Sequence, residues 1–150
     1  MKATFGAGCF WHVEDLLSKT KGVKSTRVGY TGGIVSDPTY EQVCTDTTGH
    51  AEAVEIEYDP DVVSYEDLLD IFWSNHDPTT KDRQGPDVGR QYRSAIFFHS
   101  DSQKESAAKS RDDLGRSGRH SSPIVTEIVQ SGKFYPAEEY HQKYLKKKGY

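Results

Sequence analysis

Segments with the periodicity of β-strands alternate with segments that have the periodicity of helices, and this alternation is the strongest constraint on the fold. Strands are predicted at residues 3–7, 25–30, 51–58, 93–99 and 124–129. Helices are predicted at residues 9–22, 37–44, from 64 onward and at 100–116. This order predicts an α/β (α+β) fold with helices packed on a sheet, and several short connections make the sheet mixed.

Two helix starts are predicted from capping residues. Asp37 precedes Pro38, an arrangement that suits the N-cap and the first helical position. Ser64 stands three residues before Asp67, the spacing of a capping box. We therefore expect one short helix to begin at Pro38 and a longer one to begin just after Ser64.

Composition limits the class of protein. The chain has 150 residues, enough for a single domain spanning 1–150, and a formal net charge of −4. The scattered basic residues predict no nucleic-acid partner. No stretch has the length of a membrane span, and residues 1–5 lack the apolar region of a signal peptide. We expect a cytoplasmic monomer.

Two long segments lack regular patterns. Residues 77–91 contain a single large apolar side chain, Val88, and long loops of this kind are often functional. Residues 134–144 are rich in aromatic side chains. We predict that they form a long C-terminal coil that packs over the core.

The sequence Gly8-Cys9-Phe10-Trp11 places a thiol where a strand changes into a helix. Unpaired N–H groups at a helix start favour the thiolate, so the pattern predicts a lowered pKa for Cys9 and a reactive sulfur. Phe10 and Trp11 are expected to wall a small apolar pocket beside it. The alternative is an inert core cysteine.

Thiol chemistry on an oxygen-bearing substrate also needs a proton donor and hydroxyl groups. Glu52 lies where a polar loop enters an apolar strand, and partial burial would keep its carboxyl protonated as a general acid. Its position alone equally allows a side chain that faces solvent. Tyr40 and Tyr92 are candidates to donate O–H bonds to a developing charge, although most of the nine tyrosines must be structural.

Other chemistries find less support. His50 and Glu52 match half of a zinc deaminase signature, but the cysteine half is absent, and the chain has only two cysteines, so no metal site is expected. The glycine spacing fits no nucleotide-binding loop. A cysteine hydrolase or acyltransferase stays open, since one of six histidines would only have to lie near Cys9.

At this point the motifs resemble those of a known family, the A-type peptide methionine sulfoxide reductases. The similarity covers essentially the whole chain. The matching blocks are residues 8–11, 28–33, 38–44, 48–52, 76–80, 84–89, 91–94 and 134–144.

The resemblance implies a two-layer α/β sandwich and reduction of the S epimer of methionine sulfoxide, free or in oxidised proteins. It assigns Cys9 to attack on the sulfoxide sulfur, which leaves a sulfenic acid on Cys9. Glu52 would protonate the oxygen. The remaining implied roles are oxygen binding by Tyr40 and Tyr92, a clasp on the substrate methyl by Phe10 and Trp11, and an anchor for the substrate amide at Asp87. The resemblance implies no cofactor. The alternative that is not an enzyme is a binding module, which would recognise oxidised methionine without converting it.

The chain departs from many relatives because no cysteine follows Cys44. Such relatives carry C-terminal cysteines that resolve the sulfenic acid through a disulfide. Here either Cys44 resolves Cys9, or an external thiol such as thioredoxin, glutaredoxin, glutathione or dithiothreitol does so. We favour the external thiol and expect Cys44 to be buried and inert.

Overall fold

The structure is a computed structural model, and it describes residues 1–149. The helices are α1 (Phe10–Ser18), α2 (Tyr40–Cys44), α3 (Tyr65–Ser74), α4 (Asp101–Arg116) and α5 (Tyr144–Lys147). The strands are β1 (Lys2–Ala7), β2 (Val23–Thr31), β3 (Ala51–Tyr58), β4 (Arg83–Gln84), β5 (Asp87–Val88), β6 (Ser94–Phe98), β7 (Glu127–Gln130) and β8 (Tyr135–Pro136). Two 3-10 turns span Arg90–Tyr92 and Glu139–His141.

Six strands form one mixed sheet in the order β7-β6-β1-β3-β2-β8. The pairs β1–β3, β1–β6, β2–β3 and β2–β8 are antiparallel, whereas β6–β7 is parallel. Helices α1, α3 and α4 contribute side chains to the main core against the sheet. The predicted fold class, a mixed sheet with helices packed on it, is confirmed.

Strand β3 decides which side chains face the helices. Val54 and Ile56 lie in the core between sheet and helices, while Ala51 and Ala53 belong to a smaller cluster on the other face. Because side chains alternate along a strand, Glu52 lies on the same face as Val54. The strand thus carries a carboxyl group into the layer between the sheet and the helices.

Helix boundaries follow the capping chemistry. Ser64 accepts from the backbone of Asp67, and the Asp67 carboxylate accepts from the backbone of Ser64, so the predicted capping box of α3 is confirmed. The predicted start of α2 is wrong. Thr39 forms the capping box, with Gln42, while Asp37 has a positive φ of 47° outside the helix.

Three other predictions need correction. Helix α1 ends at Ser18, before the predicted Gly22. Strand β7 begins only at Glu127, because the backbone N–H of Val125 donates to Pro78 rather than to the sheet. Residues 77–91 are more ordered than predicted, since β4 and β5 form a hairpin followed by a 3-10 turn.

The C-terminal segment, defined here as residues 134–149, buries Ala137 and His141, so the predicted packing of residues 134–144 over the core is confirmed. It is not a plain coil, since it contains β8, a 3-10 turn and α5. Strand β8 pairs with β2, and the Gln142 side chain bonds both the backbone N–H and the carbonyl of Val28, at 3.0 and 2.9 Å. The buried Glu14 carboxylate accepts from the backbone of Lys143 at 2.6 Å. These bonds hold the segment against α1.

Candidate active site

Cys9 occupies the N-cap position of α1, at the end of the turn that leaves β1. Gly8 makes this turn with a φ of +92°, and a Cβ there would crowd the Gln84 side chain. The Cys9 side chain makes no capping hydrogen bond. Its sulfur is half-buried and free for chemistry.

The charge state of Cys9 differs from the prediction. Burial raises the pKa of its thiol to about 11, although backbone N–H groups of Trp11 and His12 act in the opposite direction. The negative charges of Glu52 and Asp87 add to the increase. The expected low pKa is therefore wrong, because desolvation outweighs the helix start, and the resting site holds a neutral thiol.

Glu52 is a buried carboxyl group beside the start of α1. Its side chain is 1% exposed, so the solvent-facing alternative is wrong. Oε1 accepts from the backbone N–H of Phe10 at 3.4 Å, and Oε2 accepts from Gln91 Nε2 at 3.5 Å. Burial raises the pKa of Glu52 to about 7, and these two donors limit the increase.

Gln91 was not singled out from the sequence. It is buried in the turn before β6, and its Nε2 lies 3.5 Å from Glu52 Oε2 and 3.4 Å from Cys44 Sγ. No local pattern marks it, since a lone glutamine in a polar loop carries no signal. Its contacts indicate that it orients the Glu52 carboxyl group.

The two predicted tyrosines come from distant segments. Tyr40 begins α2 and Tyr92 ends the turn before β6. Burial raises the pKa of both phenols, that of Tyr92 to about 12, and the Glu52 charge contributes in each case. Both are neutral hydroxyl donors near Glu52 at neutral pH.

The aromatic residues after Cys9 have different environments. Phe10 is buried, with its ring centroid 5.8 Å from that of Tyr30 and 5.2 Å from that of His141. Trp11 is half-buried, and its indole stacks on Tyr144 with centroids 3.8 Å apart. Trp11 therefore presents more surface to a ligand than Phe10, which lies in the core.

Asp87 lies in β5 and is half-buried. Its charge raises the pKa of both Cys9 and Glu52, which shows that the three groups lie in one region. Cys9 and Asp87 also line a cleft of about 400 Å³ between α1 and α3. Asp87 thus lies in the same cleft as Cys9.

Cys44 contradicts its prediction. It ends α2 and is exposed rather than buried. Of the five residues of α2 only Val43 is buried, so the helix leaves Cys44 uncovered, although the Cys44 sulfur still accepts from Gln91 Nε2 at 3.4 Å. Cys44 therefore lies near Glu52 through Gln91.

Other chemistries were sought across residues 1–149. In this part of the chain no histidine ring hydrogen-bonds the Cys9 sulfur, as a hydrolase would require. The same residues contain no group of three His, Cys, Asp or Glu side chains placed to bind a metal ion. Nor do they form a helix that is long and apolar enough to cross a membrane.

A free cysteine beside a buried carboxyl group and neutral phenols fits a cysteine-dependent oxidoreductase. A family model described as "Peptide methionine sulfoxide reductase" matches residues 1–150. The chain belongs to this family of thiol-dependent enzymes, which reduce methionine sulfoxide.

Individual proteins agree with this assignment. The peptide methionine sulfoxide reductase MsrA of Methanothermobacter thermautotrophicus is 66% identical over 146 residues, which cover 97% of this chain and 86% of that protein. Reduced Mxr1 from Saccharomyces cerevisiae superposes with a TM-score of 0.93 at 37% identity, covering 99% of this chain and 86% of its own. Mxr1 in complex with Trx2 gives a TM-score of 0.67 at 26% identity, covering 96% and 84%.

Proposed function

We propose that this chain reduces the S epimer of methionine sulfoxide to methionine, with Cys9 as nucleophile and Glu52 as proton donor. One observation carries the proposal: a buried carboxyl group with a pKa of about 7 lies beside a thiol with a pKa of about 11. Between these values the pair holds one proton, and it rests on the sulfur. The reactive arrangement has that proton on Glu52 instead.

The proton distribution sets the energy that the substrate must supply. The pKa of the Cys9 thiol lies well above that of the Glu52 carboxyl group, so the reactive form is a minor fraction of the pairs before substrate binds. A sulfoxide oxygen that accepts hydrogen bonds from the protonated Glu52 and from both tyrosines stabilises this form. Substrate binding thus activates the thiol only when an oxygen is present.

The chemical step balances within the pair. The Cys9 thiolate forms a bond to the sulfoxide sulfur while Glu52 gives its proton to the oxygen. The hydroxyl then moves to the Cys9 sulfur: a Cys9 sulfur–oxygen bond forms, and the substrate's sulfur–oxygen bond and its bond to Cys9 break. Methionine leaves, the oxygen remains on Cys9 as a sulfenic acid, and Glu52 is ionised again. The substrate sulfur gains two electrons and the Cys9 sulfur loses two.

The other site residues bind and orient the substrate. Tyr40 and Tyr92 donate to the oxygen, because their phenols stay neutral. Trp11, backed by Phe10, contacts the methyl group, and Asp87 accepts from the backbone N–H of the oxidised residue. Peptide-bound and free methionine sulfoxide both present these groups.

The test is an epimer-resolved assay. With dithiothreitol as reductant, the S epimer of a blocked methionine sulfoxide should be converted to methionine while the R epimer persists, as followed by chromatography. Turnover of an ester or amide without consumption of thiol would instead establish a hydrolase. Unchanged substrate after long incubation would establish a binding module.

We further propose that an external thiol restores Cys9. One thiol attacks the sulfenic sulfur and releases water, and a second thiol reduces the resulting mixed disulfide. The thioredoxin complex of yeast Mxr1 supports a thioredoxin-like protein in this role.

Mass spectrometry after one turnover without reductant tests this proposal. We expect one added oxygen on Cys9, trapped by dimedone, in the wild type and equally in Cys44→Ser. The matched Cys44→Ser variant should keep its full rate with dithiothreitol. A Cys9–Cys44 disulfide in the wild type, replaced by sulfenic acid in Cys44→Ser, would assign resolution to Cys44. Cytoplasmic location, a monomeric state and a single catalytic domain stay predictions from the sequence.

A further inference from the structure

His141 is a fully buried histidine, 0% exposed, in the 3-10 turn Glu139–His141 of the C-terminal segment. Its Nδ1 accepts a hydrogen bond from the indole Nε1–H of Trp11 at 2.9 Å, across 130 residues of sequence. An indole nitrogen only donates, so the histidine nitrogen must be the acceptor. In the neutral ring the proton then lies on Nε2.

This tautomer leaves a polar group without a partner. His141 Nε2 is buried and makes no hydrogen bond within residues 1–149. Its ring packs between those of Tyr40 and Tyr140, with centroids 4.4 and 4.1 Å away. An apolar ring would fill this space without burying an unpaired N–H, so packing alone does not account for a histidine.

We propose that His141 is a positioning residue that fixes the Trp11 indole for substrate binding through its Nδ1 acceptor. The hydrogen bond fixes which edge of the indole faces His141, while the stack on Tyr144 fixes the plane of the indole ring. An indole side chain that is already held in one orientation loses less conformational entropy when the substrate methyl group binds. This inference rests on the proposed role of Trp11 in sulfoxide reduction.

The charge state of His141 agrees with this role. Burial lowers its pKa, against the Glu138 carboxylate, which raises it. Glu138 is itself fixed, since it accepts from the Tyr30 hydroxyl and from the backbone N–H of Tyr40, both at 3.0 Å. The ring is therefore neutral at neutral pH and keeps its acceptor.

A pair of nearly isosteric variants separates the acceptor from the packing. In His141→Asn the side-chain oxygen replaces Nδ1, whereas His141→Leu has a similar shape and no acceptor. We expect His141→Leu to raise KM for the blocked S-sulfoxide about fivefold to tenfold with kcat within about twofold. His141→Asn should stay within about twofold of the wild type in both. Equal KM values for the two variants would overturn the proposal.

A double-mutant cycle with Trp11→Phe tests whether His141→Leu raises KM through Trp11. If His141 acts through Trp11, His141→Leu adds less than about twofold to KM once the indole is gone. An undiminished increase in the Trp11→Phe background would contradict the inference. If His141→Leu fails to fold, His141→Phe replaces it as the variant without an acceptor.

Two controls distinguish failure of the positioning role of His141 from failure of the proposed function. His99→Leu removes an exposed histidine that follows β6 and bonds Thr4 Oγ1 at 2.8 Å, and it should leave KM unchanged. A wild-type protein that does not reduce the S epimer would refute the proposed function itself. An active wild type with indifferent His141 variants would refute only the positioning role.

Discussion

Replacement of Cys9 by serine is expected to abolish methionine sulfoxide reduction, with a loss on the order of 10⁴-fold or more. The hydroxyl is a poor nucleophile toward sulfur, and it cannot carry the oxygen as a sulfenic acid. The variant should fold, because serine is a favoured N-cap residue and the Cys9 side chain makes no capping bond to lose. Chromatography of methionine formed under dithiothreitol measures the effect.

Cys44→Ser is the matched control, since it removes the other thiol of the chain. It should reduce the S epimer at the wild-type rate under dithiothreitol, and thermal unfolding of both serine variants should resemble that of the wild type. Sulfoxide reduction that persists in Cys9→Ser and disappears in Cys44→Ser would move the nucleophile to α2.

Much of the fold could be predicted because its signals are local. Strand β3 has the bounds expected from its alternating pattern, and α3 and α4 start after Ser64 and Ser100 as predicted. In each helix the serine hydroxyl accepts from a backbone N–H three residues later, so the information lies within one turn.

Predictions failed where local signals compete. Asp37-Pro38 and Thr39-Gln42 both fit a helix start, and only the second forms the reciprocal bonds. The hairpin of β4 and β5 has two residues in each strand, too few for any periodicity. The late start of β7 depends on a backbone hydrogen bond from Val125 to Pro78. No sequence pattern around either residue predicts this bond.

The site residues likewise divide into those that local sequence signals predict and those that depend on distant contacts. The helix start at Cys9 and the strand entry at Glu52 are readable from neighbouring residues. The direction of the Cys9 pKa shift is not, because burial by the whole fold outweighs the local N–H groups. Gln91 and His141 were missed since each acts on a partner far away in sequence, Glu52 and Trp11 respectively.

Glu52→Gln is expected to slow formation of the Cys9 sulfenic acid by about 10² to 10⁴ and to change its pH dependence. In the wild type the reactive arrangement, thiolate with protonated Glu52, carries the same single proton as the resting pair. Its population is constant from about pH 7, the pKa of Glu52, to about pH 11, the pKa of Cys9. Below that value a second proton binds, and the rate should fall about tenfold per pH unit.

The variant has no proton to move from the thiol to the oxygen, so its residual rate depends on the thiolate alone. That rate should keep rising above pH 7 toward the pKa of Cys9, which lies at about 11 in the wild type. Loss of the Glu52 charge removes one cause that raises this pKa, so the plateau should come somewhat below 11. Single-turnover methionine formation at each pH gives both profiles.

Glu14→Gln serves as the control for removal of a buried carboxyl group. Glu14 is 2% exposed and accepts from Thr26 Oγ1 at 2.9 Å and from the backbone N–H of Lys143 at 2.6 Å, bonds that a glutamine oxygen can also accept. Its variant should keep the wild-type plateau above pH 7. If Glu52→Gln keeps that plateau as well, Glu52 does not carry the proton, and the pair formed by Cys9 and Glu52 is not the reacting unit.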